Sequence, residues 1–366
     1  MSSKKNNTKL KDKFFMSLAM QLARNRKGLT GENPSVGCVI VKNNNIISSG
    51  QTGINGVPHA EYNAIKNCKK DIKGSTLYVT MEPCTHYGKT PPCTKKIIES
   101  KIKKVFYAIN DIDKRTANKA YEILKLKKIT VKKNILNEDA KNLYKPYILN
   151  KTKKIPYVIG KIACSKDLFI KSTKDNITNE HSRKVSHLLR YHNHGILISS
   201  KTLNNDNSQL TCRINGLEKY SPIRFILDRN LNSKMNSYVV KTAKKYKTFF
   251  FYNKASKEKM LKLKKKGIKL IHMNLNDNKL FNLKEVLQKV YNCGAYSIVV
   301  EGGKLLTHNI LKQKLFNEFY LFKSPKKLGS LGMLNVSSQL HQLSFKYKNK
   351  SNIKSFTGKD IVKIYT

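Results

Sequence analysis

Two α/β domains in tandem are what this sequence predicts, and three observations carry the prediction. Short apolar runs of strand length alternate along the chain with segments whose apolar residues recur at helical spacing. That alternation is broken by the basic stretch Asn150-Lys151-Thr152-Lys153-Lys154, which reads as a join. The length, 366 residues, suffices for two or three domains at about 150 residues each. The expected domains are 1–149 and 150–366.

Residues 1–10 are polar and predict a frayed end. From Lys11 to Arg26, Phe14, Phe15, Leu18, Ala19, Leu22 and Ala23 lie at helical spacing and predict one amphipathic helix. Gly28 to Pro34 is a loop. Val36 to Val41 is apolar throughout and predicts a buried strand, and Asn43-Asn44-Asn45 turns it into a partner strand from Ile46. Ala60 to Cys68 follows Pro58 as a helix, and Ser75 to Thr80 is the next strand. Pro92 suits the first turn of a helix to Ser100. Strands at 104–109 and 129–135 flank a helix at 116–127, and a helix from Asn137 to Ile148 leads into the join. Beyond it, strands are expected at 157–164, 195–199, 223–228, 248–252, 269–273, 297–300 and 319–323. Helices are expected between them at about 179–192, 256–266, 283–292 and 304–313.

The formal net charge is +49, and basic patches gain affinity for nucleic acid by releasing counterions from phosphates. Only 8 of the 72 basic residues are arginine, the side chain suited to bidentate phosphate and base contacts, and the lysines are spread over the whole length. This reads as a compositional drift on solvated faces, so a nucleic-acid partner is not expected. No apolar run approaches the ~20 residues of a membrane span, and the lysine-rich start lacks the apolar block of a signal peptide. Seven cysteines without a disulfide pattern fit a reducing compartment. A soluble, cytoplasmic protein acting on a small molecule is expected, with a homo-oligomer left open.

Two stretches carry chemistry: His59-Ala60-Glu61, and Pro83-Cys84 through Pro91-Pro92-Cys93. One imidazole and two thiolates give three ligands for a tetrahedral Zn2+, with the fourth position open as a catalytic site requires. Glu61, two residues past the histidine, can shuttle protons beside the metal without binding it. His-x-Glu followed by Pro-Cys-x-x-Cys is the signature of zinc nucleobase deaminases. In this chain eight residues, not two, separate Cys84 from Cys93. Cys84 falls at the carboxyl end of the 75–80 strand, where open α/β sheets place ligands. Cys93 falls near a helix N-terminus, which favours its thiolate.

The long insert, with Asn33-Pro34-Ser35-Val36-Gly37-Cys38-Val39-Ile40-Val41, Pro58-His59-Ala60-Glu61 and Glu82-Pro83-Cys84, closely resembles the deaminase half of the bifunctional riboflavin-biosynthesis deaminase-reductases. The resemblance implies a cytidine-deaminase-like layered domain that removes a ring amine from a diaminopyrimidinone carrying ribose phosphate. It also implies that Asn33 meets substrate. Asp111-Ile112-Asp113-Lys114 stands where the family has Asp-Pro-Asn-Pro, and losing both prolines predicts a looser loop near the sugar phosphate.

From about 157 to 330 the chain is similar to the reductase half of the same family, which implies a dihydrofolate-reductase-like fold that reduces a ribosyl group to ribityl with NADPH. The matching residues are Lys161, Ala163, Leu189-Arg190, Thr202, Asp206, Leu210-Thr211-Cys212-Arg213 and Val300-Glu301-Gly302-Gly303-Lys304-Leu305. By position, Ala163, Thr202, Asp206, Gly302 and Gly303 are implied to meet NADPH. Lys161, Arg190, Leu210, Arg213 and Glu301 are implied to meet substrate, Arg190 and Arg213 as a phosphate clamp. Gly302-Gly303 between a strand and a helix also suits phosphate on its own account, because helix N-terminal N–H groups bind anions. The family's Ser-Leu-Asp-Gly is Ser165-Lys166-Asp167-Leu168 in this chain, without the glycine that permits positive φ.

Two other readings stay open on sequence: a zinc deaminase directed at nucleic acid, and a deaminase whose C-terminal domain does not catalyse. A purely structural zinc site would need a fourth ligand, which His86 can supply.

Overall fold

A computed structural model describes every residue except Met1, Lys89, Asp175, Lys354 and Ser355, and the side chains of residues 2–5. The chain divides into two units, 1–154 and 155–366.

In the first unit the strands are β1 (Gly37–Lys42), β2 (Asn45–Gln51), β3 (Thr76–Val79), β4 (Lys104–Tyr107) and β5 (Thr130–Lys132). The helices are α1 (Ser2–Asn25), α2 (Ala60–Lys66), α3 (Cys93–Glu99), α4 (Lys119–Leu126) and α5 (Asn137–Lys153). The sheet order is β2-β1-β3-β4-β5, with β1 antiparallel to both neighbours and β3, β4 and β5 parallel. Alternate residues of each strand face opposite sides, so both faces are apolar and each needs a helical cover. Val39, Val41, Tyr78 and Phe106 pack under α1 and α5. Cys38, Ile40, Leu77 and Val105 pack under α2, α3 and α4. Gly37 lets α1 sit directly on β1, since a Cβ there would lie 2.0 Å from the Ala19 carbonyl oxygen.

Three helices of the first unit differ most from expectation. Helix α1 begins at Ser2, not near Lys11, because neither glycine nor proline interrupts the chain before Gly28. Helix α5 continues through Lys153 past Pro146, so most of the basic stretch is helical and the units part at Lys154/Ile155. Helix α4 starts at Lys119 rather than Thr116, because the preceding backbone is spent on turns: Thr116 and Ala117 N–H both donate to the Asp113 carbonyl.

The second unit opens with β6 (Tyr157–Cys164), β7 (Phe169–Ser172), α6 (Glu180–Tyr191), β8 (Gly195–Ser199) and α7 (Ser200–Asp206). There follow β9 (Ile223–Leu227), α8 (Tyr238–Lys241), β10 (Thr248–Tyr252), α9 (Lys257–Lys265), β11 (Lys269–His272), α10 (Leu283–Asn292), β12 (Ser297–Val300) and α11 (Lys304–Lys312). The chain closes with β13 (Glu318–Lys323), β14 (Gly332–Asn335), α12 (Ser337–Lys346), β15 (Lys350–Ile353) and β16 (Ile361–Tyr365). Nine strands form one sheet in the order β11-β10-β9-β8-β12-β6-β13-β16-β15, parallel from β11 to β13 and antiparallel at β16 and β15. Phe225, Phe251, Ile298 and Phe319 build one face of the core with α10 and α11, and Ile196, Ile226 and Phe250 build the other with α7, α8 and α9. β7 and β14 form a separate antiparallel pair. Nothing beyond Lys323 is expected from sequence patterning, and the elements found there include the edge strand β15, whose Lys-Ser-Asn-Ile run has no apolar alternation to announce it.

Among the described residues, no helix is long and apolar enough to cross a membrane.

Candidate active site

In the first unit, α2 and α3 both begin at the same end of the sheet. His59 is the residue that precedes α2, Glu61 lies in its first turn, and Cys93 opens α3. Cys84 sits in the loop after β3 and is tied to α3, since its Sγ accepts the Cys93 N–H at 3.2 Å. The Sγ atoms of Cys84 and Cys93 each lie 3.4 Å from His59 Nδ1. Tetrahedral zinc, with Zn–S of about 2.3 Å and Zn–N of about 2.0 Å, needs sulfur and nitrogen ligands about 3.5 Å apart. The donor set and its spacing therefore fit zinc, with Nδ1 as the histidine ligand. His86 is not in this cluster; its Nδ1 pairs with Thr116 Oγ1 at 3.1 Å.

Electrostatics divide the two thiols. A hydrogen bond from Cys93 overcomes burial and, with His59, holds the Cys84 thiol well below the ordinary thiol range. The Cys93 thiol is pushed up by that same hydrogen bond, by burial and by Glu61. Glu61 is only 4% exposed, and burial together with the Cys84 charge pushes its carboxyl up to about 7. A carboxyl beside the cluster can both accept and return a proton.

His59, Glu61 and Cys84 line a cavity of about 470 Å³, together with Asn33, Asp111 and Tyr147. Asn33 is fixed on the wall by donating from Nδ2 to the Gly56 carbonyl at 3.1 Å. The loop expected to be loose is instead held down. Glu82, 3% exposed, accepts three backbone N–H bonds at 3.1 Å each, from Asp111, Asn118 and Ala120. Asp111 Oδ1 accepts from Asp113 N–H and from Tyr147 Oη, both at 3.0 Å, and Arg115 forks onto Asp113 at 2.9 and 2.6 Å. Glu82 had no role assigned from sequence. Its signal was position: a carboxylate between a buried strand and a metal ligand must find donors.

In the second unit, the carboxyl ends of β6, β8 and β12 converge. Lys161 and Ala163 are alternate residues on β6 and share a face. Glu301 follows β12, and its carboxylate is forked by Arg190 of α6, Nε to Oε1 at 2.7 Å and Nη2 to Oε2 at 2.9 Å. Arg190 Nη1 also donates to the Thr211 carbonyl at 3.0 Å. The arginine implied as a phosphate ligand is thus largely engaged inside the protein. Burial would raise the Glu301 carboxyl, but Arg190 and Lys161 outweigh it and hold it down at about 2. Burial makes the Lys161 ammonium easier to deprotonate, with Glu301 opposing. Arg213 is exposed and in no ion pair among the described residues. Leu210, with φ +60°, buries its side chain in the core, so only its backbone is available to a ligand.

Gly303 caps α11 without a side-chain hydrogen bond, and a Cβ there would approach Thr202 Oγ1 to 3.2 Å. Bare N–H groups, two glycines and a hydroxyl form a cradle that fits a cofactor phosphate. Asp206 lies at the end of α7, about half-exposed, 3.9 Å from Lys171 Nζ. At the altered motif, Leu168 takes φ +70°, the conformation that glycine serves elsewhere. The turn survives because Asp167 anchors it, accepting from Ser165 Oγ at 2.6 Å and from Gly329 N–H at 2.8 Å.

Residues 9–109 match the cytidine and deoxycytidylate deaminase zinc-binding region, and residues 156–356 match the RibD C-terminal domain. The riboflavin biosynthesis protein RibD of Aquifex aeolicus is 36% identical over 357 residues, covering 96% of this chain and 97% of that one. Acinetobacter baumannii RibD superposes with a TM-score of 0.80 at 27% identity, over 98% of this chain and 99% of its own. A Thermotoga maritima diaminohydroxyphosphoribosylaminopyrimidine deaminase/5-amino-6-(5-phosphoribosylamino)uracil reductase does so with a TM-score of 0.80 at 30% identity and the same coverage. With both halves matched in one continuous chain, this protein belongs to the bifunctional riboflavin-biosynthesis deaminase-reductase family, RibD.

Proposed function

We propose that residues 1–154 deaminate 2,5-diamino-6-(5-phosphoribosylamino)pyrimidin-4-one and that residues 155–366 then reduce the ribosyl chain of the product to ribityl. The observation that carries the first step is Glu61, a buried carboxyl at the His59-Cys84-Cys93 cluster and on the wall of the same cavity. Those three residues would hold a zinc ion, which when bound would lower the pKa of its water to about 7 and so supply a nucleophile at neutral pH. Glu61 takes a proton from the attacking water and passes it to the departing amine. The ring C–N bond breaks, a ring carbonyl forms, and ammonia leaves. Asn33 and the Asp111 loop orient the ring and its sugar.

In the second unit NADPH, when bound, would supply the hydride. Thr202, Asp206, Gly302 and Gly303, with Ala163 on the neighbouring strand, hold that cofactor. Glu301, kept ionised by Arg190, accepts hydrogen bonds from ribose hydroxyls, with Lys161 beside it and the backbone of Leu210 at the edge. Arg213 is the cation free to meet the substrate phosphate.

The test incubates the purified protein with the diaminopyrimidinone phosphate, with and without NADPH, measuring ammonia and the absorbance at 340 nm. Both should change, and Glu61→Gln should cut ammonia release at least about 10²-fold, the usual contribution of a general acid/base. Ammonia release without NADPH oxidation would leave the deaminase and remove the reductase. Near-normal ammonia release from Glu61→Gln would remove that residue from the mechanism.

A further inference from the structure

Helix α6 presents two polar residues one turn apart to the segment 210–213, and only one of them has been given a task. Arg190 holds Glu301 and the Thr211 carbonyl. The other is His187, 9% exposed, whose Nδ1 lies 3.1 Å from the Thr211 carbonyl oxygen and 3.3 Å from the Arg213 backbone nitrogen. A neutral imidazole nitrogen cannot serve both, because one contact needs it as donor and the other as acceptor. The Thr211 carbonyl already accepts from Arg190 Nη1. The Arg213 N–H has Nδ1 as its acceptor. With Nδ1 bare and the ring proton on Nε2, the Arg213 N–H keeps its acceptor and the Thr211 carbonyl keeps its Arg190 donor. Burial and the neighbouring charges of Arg190 and Arg213 hold the imidazole down at about 4 and hence neutral, so one ring nitrogen carries no proton.

We infer that His187 is a positioning residue for the reductase: its Nδ1 accepts the Arg213 N–H and so fixes the direction in which the Arg213 guanidinium meets the substrate phosphate. The segment needs such a hold. Leu210, three residues earlier, stands at φ +60°, which a leucine adopts only where its surroundings impose it, and Arg213 itself is exposed. Anchored at Leu210 in the core and at Arg213 by His187, the segment carries its arginine on a fixed backbone. A long flexible side chain then loses less freedom when it binds.

This rests on the reading of Arg213 as a phosphate ligand, and the test separates the two. Steady-state reduction of 5-amino-6-(5-phosphoribosylamino)uracil by the full chain is compared for His187→Asn, His187→Gln and Arg213→Ala. Asparagine places a carbonyl oxygen close to where Nδ1 stands; glutamine reaches toward Nε2 and leaves the Arg213 N–H without an acceptor. His187→Asn should keep the substrate KM within about twofold. His187→Gln should raise it about tenfold, equivalent to about 1.4 kcal/mol, with kcat and the KM for NADPH unchanged. Arg213→Ala should raise it further. If Arg213→Ala raises the substrate KM but Asn and Gln at 187 behave alike, the positioning role is wrong and the phosphate reading stands. An unchanged KM in Arg213→Ala would overturn both. Equal losses in kcat and in both KM values would mark His187 as a packing residue only.

Discussion

Removing Arg190 should expose how far the second site depends on one ion pair. With the guanidinium present, the Glu301 carboxyl falls from an ordinary 4.5 to about 2. At about 1.36 kcal/mol per pH unit, that gap contributes about 3 kcal/mol to the folded state at neutral pH. The side chains are 11% and 14% exposed, so little of this is screened by solvent. Because the folded pKa is the lower one, the contribution is complete above pH 4.5 and is lost as pH falls toward 2. Arg190→Met keeps most of the volume and strands the carboxylate, leaving the Lys161 charge to offset its burial. Breaking one side of a buried pair costs about 3 to 5 kcal/mol. The variant should therefore lose about that much at pH 7, and the deficit should shrink near pH 5 as the stranded carboxyl takes up a proton. Adding Glu301→Gln to Arg190→Met should recover most of the loss, since no unpaired charge remains. Hydrogen exchange of α6 and β12 in the full chain reads this unit alone, whereas global melting would mix two units. A loss below about 1 kcal/mol at pH 7, with a raised substrate KM, would refute the reasoning and return Arg190 to the phosphate.

Two further outcomes concern the first unit. Cys84→Ser should fold but retain no zinc by metal analysis, because it removes one of three ligands within 4.8 Å of each other; zinc at full occupancy in that variant would overturn the ligand set. Glu82→Gln should keep zinc yet raise the deaminase KM about tenfold. It turns an amide N–H toward at least one of the three backbone donors the carboxylate now satisfies, and an unmet buried donor costs about 1 to 3 kcal/mol. A KM unchanged by Glu82→Gln would mean that the Asp111 loop does not need this anchor.

The metal cluster was legible because its ligands need fixed residue types in a fixed order, and α2 and α3 begin where proline and the strand ends predict. The sheets were legible for the same kind of reason: strands such as Val39–Val41 and Ile298–Val300 are buried on both faces and must be apolar throughout. What stayed hidden depends on pairing across long separations. Arg190 and Glu301 are 111 residues apart, and nothing local tells a phosphate clamp from an internal fork. His187 had a faint local sign, one helical turn before Arg190, but its use lies in a backbone N–H contributed by another segment. The edge strands past Lys323 were missed because they are short and carry little alternation.

The motif positions this chain has altered show why the fold tolerates them. A leucine at φ +70° costs on the order of 1 to 3 kcal/mol against glycine, and the backbone would relax if its neighbours allowed it. They do not. The Asp167 carboxylate accepts N–H groups from Leu328 and Gly329, its carbonyl accepts from Asn335 Nδ2, and Lys166 N–H reaches the Lys326 carbonyl at 2.7 Å. Four contacts from one segment fix the turn before Leu168 is placed. The Asp111 loop is alike: without the prolines, Glu82 and Tyr147 fix it through hydrogen bonds that any residue at 112 and 114 leaves intact. Backbone shape at both sites is thus set by hydrogen-bonded carboxylates, and the intervening positions are free to drift toward isoleucine and lysine. On this physical account, replacing Asp167 should damage the second unit more than restoring glycine at Leu168 improves it.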